Sequence, residues 1–475
     1  MTLLTIPSGN VASALGGGYE VANSCRFNDG DDPYMYKAFG TPTNAKIFTF
    51  SVWLKRSKIG FAHIFSVNVD SNNLDEIKFN SDNKLIYDNA YGGSWAFELA
   101  TSRYFRDVSA WYHIVVAYDS TQATAANRIK FYVNGTQETA FATASYPAED
   151  KLPFINESGR TIEVGRFPGA ASNIQYDGYM AEVCFIDGQQ LAASEFGEFD
   201  EDSPTIWKPK DVSGLTFGNN GFYLDFEDSA NLGNDANGGT DLTESGLAAT
   251  DSSTDTPTNS FCTGNPLVYT TMTSFSQGNN ELYNSASAHK SGYATMPVSA
   301  GKWYWEAEID VVGDTSTIGV VAADSTFNLN QATYFYIGEF GFGFKNEGKK
   351  NNNAAVDSDI TYGSSWSAGD IIGVALDMDN LKLYFSVNGT WQESGDPESG
   401  ATGTNAAWTL DAGYNYVPAF HTHQNTVWKC NFGATAFGDT AISSANQDGN
   451  GYGNFEYAVP SGYYALCTKN LAEFG

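Results

Sequence analysis

At 475 residues the chain is too long for one ordinary core, and about 100–200 residues per domain gives an expectation of two or three units. The 25 basic against 55 acidic residues give a formal charge of −30. A surface this acidic is repelled by phosphate, which argues against nucleic acid or an anionic membrane as the main partner. Hydrophobic content of 42% with 17% charged residues excludes bulk disorder, while 32 Phe, 27 Tyr, 10 Trp and 48 Gly suit many strands joined by tight turns.

The opening run MTLLTIPSGNVASALGGG lacks a basic segment and is too short in its apolar part for a signal peptide. Residues 1–20 are expected to form an extended docking arm that orders against a partner. No stretch approaches the roughly 18 apolar residues that span a bilayer, so membrane insertion is not expected. Cys25, Cys184, Cys262, Cys430 and Cys467 form an odd set with no close pair, and read as core residues of a chain folded in a reducing cytoplasm.

Alternating apolar residues then recur in short runs: FTFSVWLKR at 48–56, WYHIVVAYD at 111–119, RIKFYVNG at 128–135 and TIEVGRF at 161–167. The second half continues with KWYWEAEIDVV at 302–312, STIGVVAAD at 316–324, DIIGVALDMD at 370–379 and LKLYFSVNG at 381–389. Period-2 runs separated by turn residues predict an all-β protein of two antiparallel β-sandwiches in tandem, of jelly-roll type. One short helix is predicted at 191–199. Residues 228–260, rich in Gly, Ser, Thr, Asn and Asp, are expected to link a first domain at 21–227 to a second at 261–475. Each half holds a strand, a polar turn and an alternating strand ending in Val-Asn-Gly-Thr, at 133–136 and 387–390. In these, Asn-Gly predicts a tight hairpin turn and not a glycosylation site.

Several constellations bear on chemistry. In Glu308-Ile309-Asp310-Val311-Val312-Gly313 a glycosidase-like carboxylate pattern is incomplete, because Gly313 stands where a second glutamate is needed and Asp314 falls out of phase. Trp303, Trp305, Ala307 and Ile309 are expected to face the core, with Tyr304, Glu306, Glu308 and Asp310 facing water. His113 reads as a core residue, and His421 with His423 as a weak metal pair; His63 and His289 stand alone. Asp29, Asp31 and Asp32, and Asp235, Asn237 and Asp241, gather oxygen ligands on Gly-containing turns, the chemistry Ca²⁺ requires. Tyr91 and Trp95, and Tyr362 and Trp366 with Lys349 and Lys350, are the candidate ligand-binding residues, since an exposed aromatic can stack on the apolar face of a sugar. No catalytic residue is assigned.

The first half resembles concanavalin A-like, laminin-G-type lectin domains through SCRFNDGDDPYMYK, FTFSVWLKR, WYHIVVAYD, IKFYVNG and YDGYMAEVCFIDG. The second resembles SPRY domains through GKWYWEAEI, GDIIGVALDMDNLKLYFSVNGTW, VPAF and NFG. Their order is similar to that in structural proteins of tailed bacteriophages. That resemblance implies a virion protein assembled in a bacterial cytoplasm beside other virion subunits. It also implies a tail-fibre or receptor-binding role toward a host glycan or protein receptor, and a homo-oligomer, a trimer if at a fibre tip. Laminin-G-type domains often hold Ca²⁺, which adds to the reading of the acidic loops. The alternatives are a capsid decoration or connector protein and a capsular polysaccharide depolymerase, the latter drawing on Glu306 or Glu308.

Overall fold

The computed structural model describes residues 18–169, 174–268, 272–323, 341–352 and 360–475, so the predicted arm lies outside the described residues except for its last three positions. Two compact units divide between Thr258 and Asn259. Both are antiparallel sandwiches, as the alternating runs require. Among the described residues no helix is long and apolar enough to cross a membrane.

In the first unit one sheet orders Thr136–Gln137, Ile129–Val133, Trp111–Asp119, Ile47–Arg56, Gly178–Asp187, Ser24–Phe27 and Ser252–Ser253, with Phe222–Leu224 also pairing Gly178–Asp187. The facing sheet orders Phe141–Ser145, Ser94–Thr101, Leu85–Tyr91, Asn73–Phe79, Ala62–Asp70, Thr161–Val164, Tyr34–Ala38 and Thr243–Ser245. Between them lie alternate residues of both, among them Phe48, Phe50, Phe65, Phe97 and Phe185. Burying such side chains contributes about 1.5–3 kcal/mol apiece.

Residues 228–260 are not a linker. Thr243–Ser245 and Ser252–Ser253 each extend one sheet of the first unit, and Asp251 and Asp255 form buried ion pairs with Arg26 and Lys55 at 3.0 and 2.6 Å. Composition misleads here because the segment is held by hydrogen bonds and ion pairs, with few apolar anchors to reveal it. The helix predicted at 191–199 is also absent: a single 3-10 turn at Ala193–Glu195 leads into the strand Gly197–Phe199, paired with Trp207–Pro209.

In the second unit the larger sheet orders Ser274–Ser276, Glu281–Asn284, Thr426–Asn431, Lys302–Val311, Ile371–Asp377, Lys382–Val387 and Thr390–Trp391. The smaller orders His289–Tyr293, Tyr416–His423, Thr315–Ala322, Gly341–Lys345, Lys349–Asn352 and Ile360–Thr361. Trp303, Trp305, Ala307 and Ile309 face the core as expected. Tyr304 and Glu306, however, do not face water: Phe261, Phe455, Tyr463 and Cys467 form a second apolar cluster with Tyr304 on that side of the sheet.

The Asn-Gly hairpins form as predicted, with φ of 47° and 78° at Asn134 and Gly135 and of 48° and 76° at Asn388 and Gly389. Both central residues lie in the left-handed region, which Asn tolerates and Gly favours. Each Asn side chain also accepts a backbone N–H from the preceding strand, from His113 at 2.8 Å and from Ile371 at 2.9 Å.

Glu182, at a bulge with φ 51°, is sealed against Tyr223 and Tyr19, whose hydroxyls donate to it at 2.8 and 3.1 Å. Burial raises its carboxyl to about 8. A folded value above the unfolded one means that this stabilisation is complete below about pH 4, the ordinary glutamate range, and is lost as pH rises through about 8. Glu182→Gln is therefore expected to flatten the decline in stability of the first unit between pH 5 and 9, read from urea midpoints across that range.

Candidate functional site

The hairpin joining Leu85–Tyr91 to Ser94–Thr101 turns through Gly92 and Gly93, at φ 58° and 79°. Its tip is pinned from the neighbouring turn, with the Gly93 N–H donating to the Asn72 carbonyl at 3.0 Å and the Gly92 N–H to Asn73 Oδ1 at 2.9 Å. A rigid tip loses little entropy on binding.

Tyr91 and Trp95 are 60% and 57% exposed on this tip. The register pairs Ala90 with Trp95 and Tyr91 with Ser94, so the two rings lie on opposite faces of the hairpin. Trp95 sits with Lys78, whose ammonium is 5.6 Å from the ring centroid. Tyr91 stacks on Phe154 at 6.1 Å and carries the Lys151 ammonium 4.2 Å from its centroid. The cation–π attraction holds each ring in place while leaving it open to solvent.

Beneath Trp95 is a charged row on the outward face of the sheet. Glu76 pairs in register with Asp88, and Asp88 with Glu98. Lys78 bridges Glu76 and Asp88, 3.0 Å from the latter, and His63 Nε2 lies 3.1 Å from Glu76. Burial, with Glu76 alongside, pushes the Asp88 carboxyl well above the usual range. Against burial, the hydrogen bonds and charges of His63 and Lys78 hold Glu76 down to about 2. Lys78 ties Glu76 to Asp88, so the row stiffens the face that supports Trp95.

The second candidate cluster does not form a site. Tyr362 and Trp366 are 5% and 4% exposed, packed around Phe344 and, for Trp366, 5.4 Å from Trp428. Neither ring has a face left for a ligand. Lys350 donates to the Ala407 carbonyl at 2.6 Å and lies over Trp408, while Lys349 pairs with Glu347 at 2.8 Å. Aromatic residues in Gly/Ser turns look alike in sequence whether they plug a sandwich or leave it.

The acidic loops spend their carboxylates on protein donors. Asp29 pairs with Lys58, Asp31 accepts from Asn28 at 2.7 Å, and Asp32 accepts from Gln175. Asp235 accepts the N–H groups of Tyr223 and Asn237 and lies 3.5 Å from Lys37, and Asp241 accepts the Asp235 N–H at 3.0 Å; Asn237 is exposed. Among the described residues no group of three or more His, Cys, Asp and Glu converges as a metal site. The 235–241 loop lines a cleft of about 720 Å³ with Tyr36, Asn219 and Thr243.

The histidines divide similarly. His113 is a neutral core residue pushed down to about 3 by burial, accepting the Trp207 indole N–H at Nδ1 at 3.0 Å and lying 2.9 Å from Ser51 Oγ. His421 and His423 are joined by His289 from the adjacent strand. Its ring stacks on theirs at 5.2 and 4.3 Å, a contact that sequence spacing could not show. Glu306 accepts the Glu456 and Tyr457 N–H groups and the Tyr304 hydroxyl, so it is not presented to a polymer.

Comparison with known proteins accords with this architecture. Residues 29–193 match the concanavalin A-like lectin/glucanases superfamily, and residues 302–435 match the SPRY domain. Similar curated proteins include the E3 ubiquitin-protein ligase RKP of Arabidopsis thaliana, 28% identical over 33% of this chain and 11% of that protein. The ATP-dependent RNA helicase Ddx1 of Drosophila melanogaster is 36% identical over 19% of this chain and 11% of that protein. The chain thus spans about a tenth of the length of these relatives. Among solved structures, the SPRY domain of human HERC1 is similar at 16% identity and TM-score 0.25, covering 32% of this chain and 87% of that one. A SAP-like pentraxin from Limulus polyphemus is similar at 15% identity and TM-score 0.26, covering 35% and 77%. Pattern, sheet topology and family matches agree: the chain carries a domain of the concanavalin A-like lectin/glucanases superfamily followed by a SPRY domain.

Proposed function

We propose that this protein is a non-enzymatic attachment protein whose first sandwich grips a carbohydrate at the 91–95 hairpin, while the SPRY domain holds a protein partner. The observation that carries this reading is the exposure of Tyr91 and Trp95 on a tip fixed by hydrogen bonds. Held in place on a fixed turn, each ring can stack on a ligand without being reordered. A sugar's C–H face stacks on such a ring, and the nearby ammonium groups meet its oxygens.

The setting is proposed from the order of the two domains, which resembles that of tailed-phage structural proteins: a virion surface, with host glycan or receptor as the target. Assembly as a homo-oligomer, such as a trimer, would multiply weak single sites into useful avidity.

A glycan array probed with the full chain tests the reading. Tyr91→Ala and Trp95→Ala are each expected to weaken the best hit about tenfold, which corresponds to about 1.4 kcal/mol, with unchanged thermal midpoints because both rings lie at the surface. An array with no hit, or hits indifferent to both substitutions, would overturn it. Imaging of intact particles carrying a labelled chain tests the virion setting.

A further inference from the structure

Cations are scarce here, and most find a carboxylate. Among the described residues of the first unit six have no acidic partner within 4.0 Å, Arg56, Lys84, Arg106, Lys130, Lys151 and Lys210, although acidic residues outnumber basic ones 55 to 25. Three of these, Lys84, Arg106 and Lys151, gather at exposed aromatics. Tyr104 is 51% exposed, with the Lys84 ammonium 5.2 Å and the Arg106 guanidinium 4.6 Å from its centroid. Lys151 lies 4.2 Å from the centroid of Tyr91. The nearby Asp107 is turned away, accepting the Ser109 N–H and hydroxyl at 2.9 and 2.7 Å.

The two clusters occupy opposite ends of one strand pair. Lys84 immediately precedes Leu85–Tyr91 and Tyr104 follows Ser94–Thr101, so the Tyr104 cluster is roughly 20 Å from the hairpin tip at about 3.3 Å per residue. We propose that Lys84, Tyr104 and Arg106 form a second ligand station, and that the carbohydrate bound by this domain is an acidic polysaccharide. This rests on the carbohydrate reading above and narrows it to sugars bearing carboxylate or sulfate groups. An anionic group takes the place of the missing carboxylate at each station, while a sugar ring covers the exposed aromatic. Nucleic acid fits less well, because duplex DNA carries one charge per about 1.7 Å and three cations cannot offset that density against a chain of −30.

Binding of the full chain to immobilised polygalacturonate, its methyl ester, dextran, dextran sulfate and single-stranded DNA tests the proposal. Polygalacturonate or dextran sulfate is expected to bind at least tenfold tighter than its uncharged counterpart, and whichever binds identifies carboxylate or sulfate. The double variant Lys84→Met/Arg106→Met should lose tenfold or more of that affinity and show a shallower salt dependence, with an unchanged unfolding midpoint. Tyr104→Ala should weaken binding with little change in the salt slope. Equal binding of charged and uncharged polymers, still sensitive to Tyr91→Ala, would overturn this inference and leave the carbohydrate reading standing. Binding to none of the polymers, with an empty glycan array, would remove both. Acidic-glycan binding untouched by the double variant would overturn the second station, and equally tight DNA binding would overturn the sugar assignment.

Discussion

Asp255→Ala is expected to destabilise the first sandwich by about 3–5 kcal/mol, the range seen when one partner of a buried ion pair is removed. Asp255 is fully buried, and its carboxylate accepts from Lys55 Nζ at 2.6 Å and from the Trp111 indole N–H at 3.0 Å. Its own carbonyl accepts the Ser24 hydroxyl at 2.6 Å. Removing the carboxylate leaves an ammonium facing Tyr179 at 5.8 Å in a nearly dry site without that counter-charge. Asp255→Asn should fall between wild type and Ala, since it keeps an acceptor but no charge. Urea unfolding followed by the first unit's tryptophans checks this, and a loss under 1 kcal/mol for Asp255→Ala would show that the pair contributes little. A fragment ending at residue 227 should fold poorly for the same reason, whereas one ending at 258 retains both ion pairs and both added strands.

Glu306→Ala should have a comparable effect on the second unit. Its carboxylate accepts the Glu456 N–H at 2.8 Å, the Tyr457 N–H at 2.9 Å and the Tyr304 hydroxyl at 2.8 Å. Each orphaned buried group costs about 1–3 kcal/mol. The variant should also release the 456–457 segment that these hydrogen bonds tie to the sheet. Burial raises the Glu306 carboxyl to about 7 despite the three donors. Its folded value exceeds the unfolded one, so its contribution is complete below about pH 4 and declines as pH rises through about 7. Glu306→Gln preserves shape but sets an amide N–H₂ against a backbone donor, so it should cost stability at every pH while removing that slope. Chemical denaturation of the second unit between pH 4 and 8 checks both effects.

The two aromatic clusters show how far local sequence reaches. Tyr91-Gly92-Gly93-Ser94-Trp95 and Tyr362-Gly363-Ser364-Ser365-Trp366 have nearly the same composition, yet the first projects its rings and the second buries them against Phe344 and Trp428. What separates them is the set of neighbouring strands, whose partners come from distant parts of the chain. Lys84, Tyr104 and Arg106 gave no motif, because the turn and the loop that hold them meet only when the strands between them pair. His289 likewise joined His421 and His423 only through cross-strand register.

By itself the sequence determined the all-β class, the two sandwiches, the Asn-Gly hairpins and the core face of Lys302–Val311, because period-2 burial and left-handed turn preferences are local properties of the chain. Only the tertiary structure decided that residues 228–258 belong to the first sandwich, that Glu306 lies beneath a second apolar layer, and which aromatic rings meet solvent. Each of these depends on what distant segments lay over a strand, and alternation along one strand records its two faces without recording what covers them.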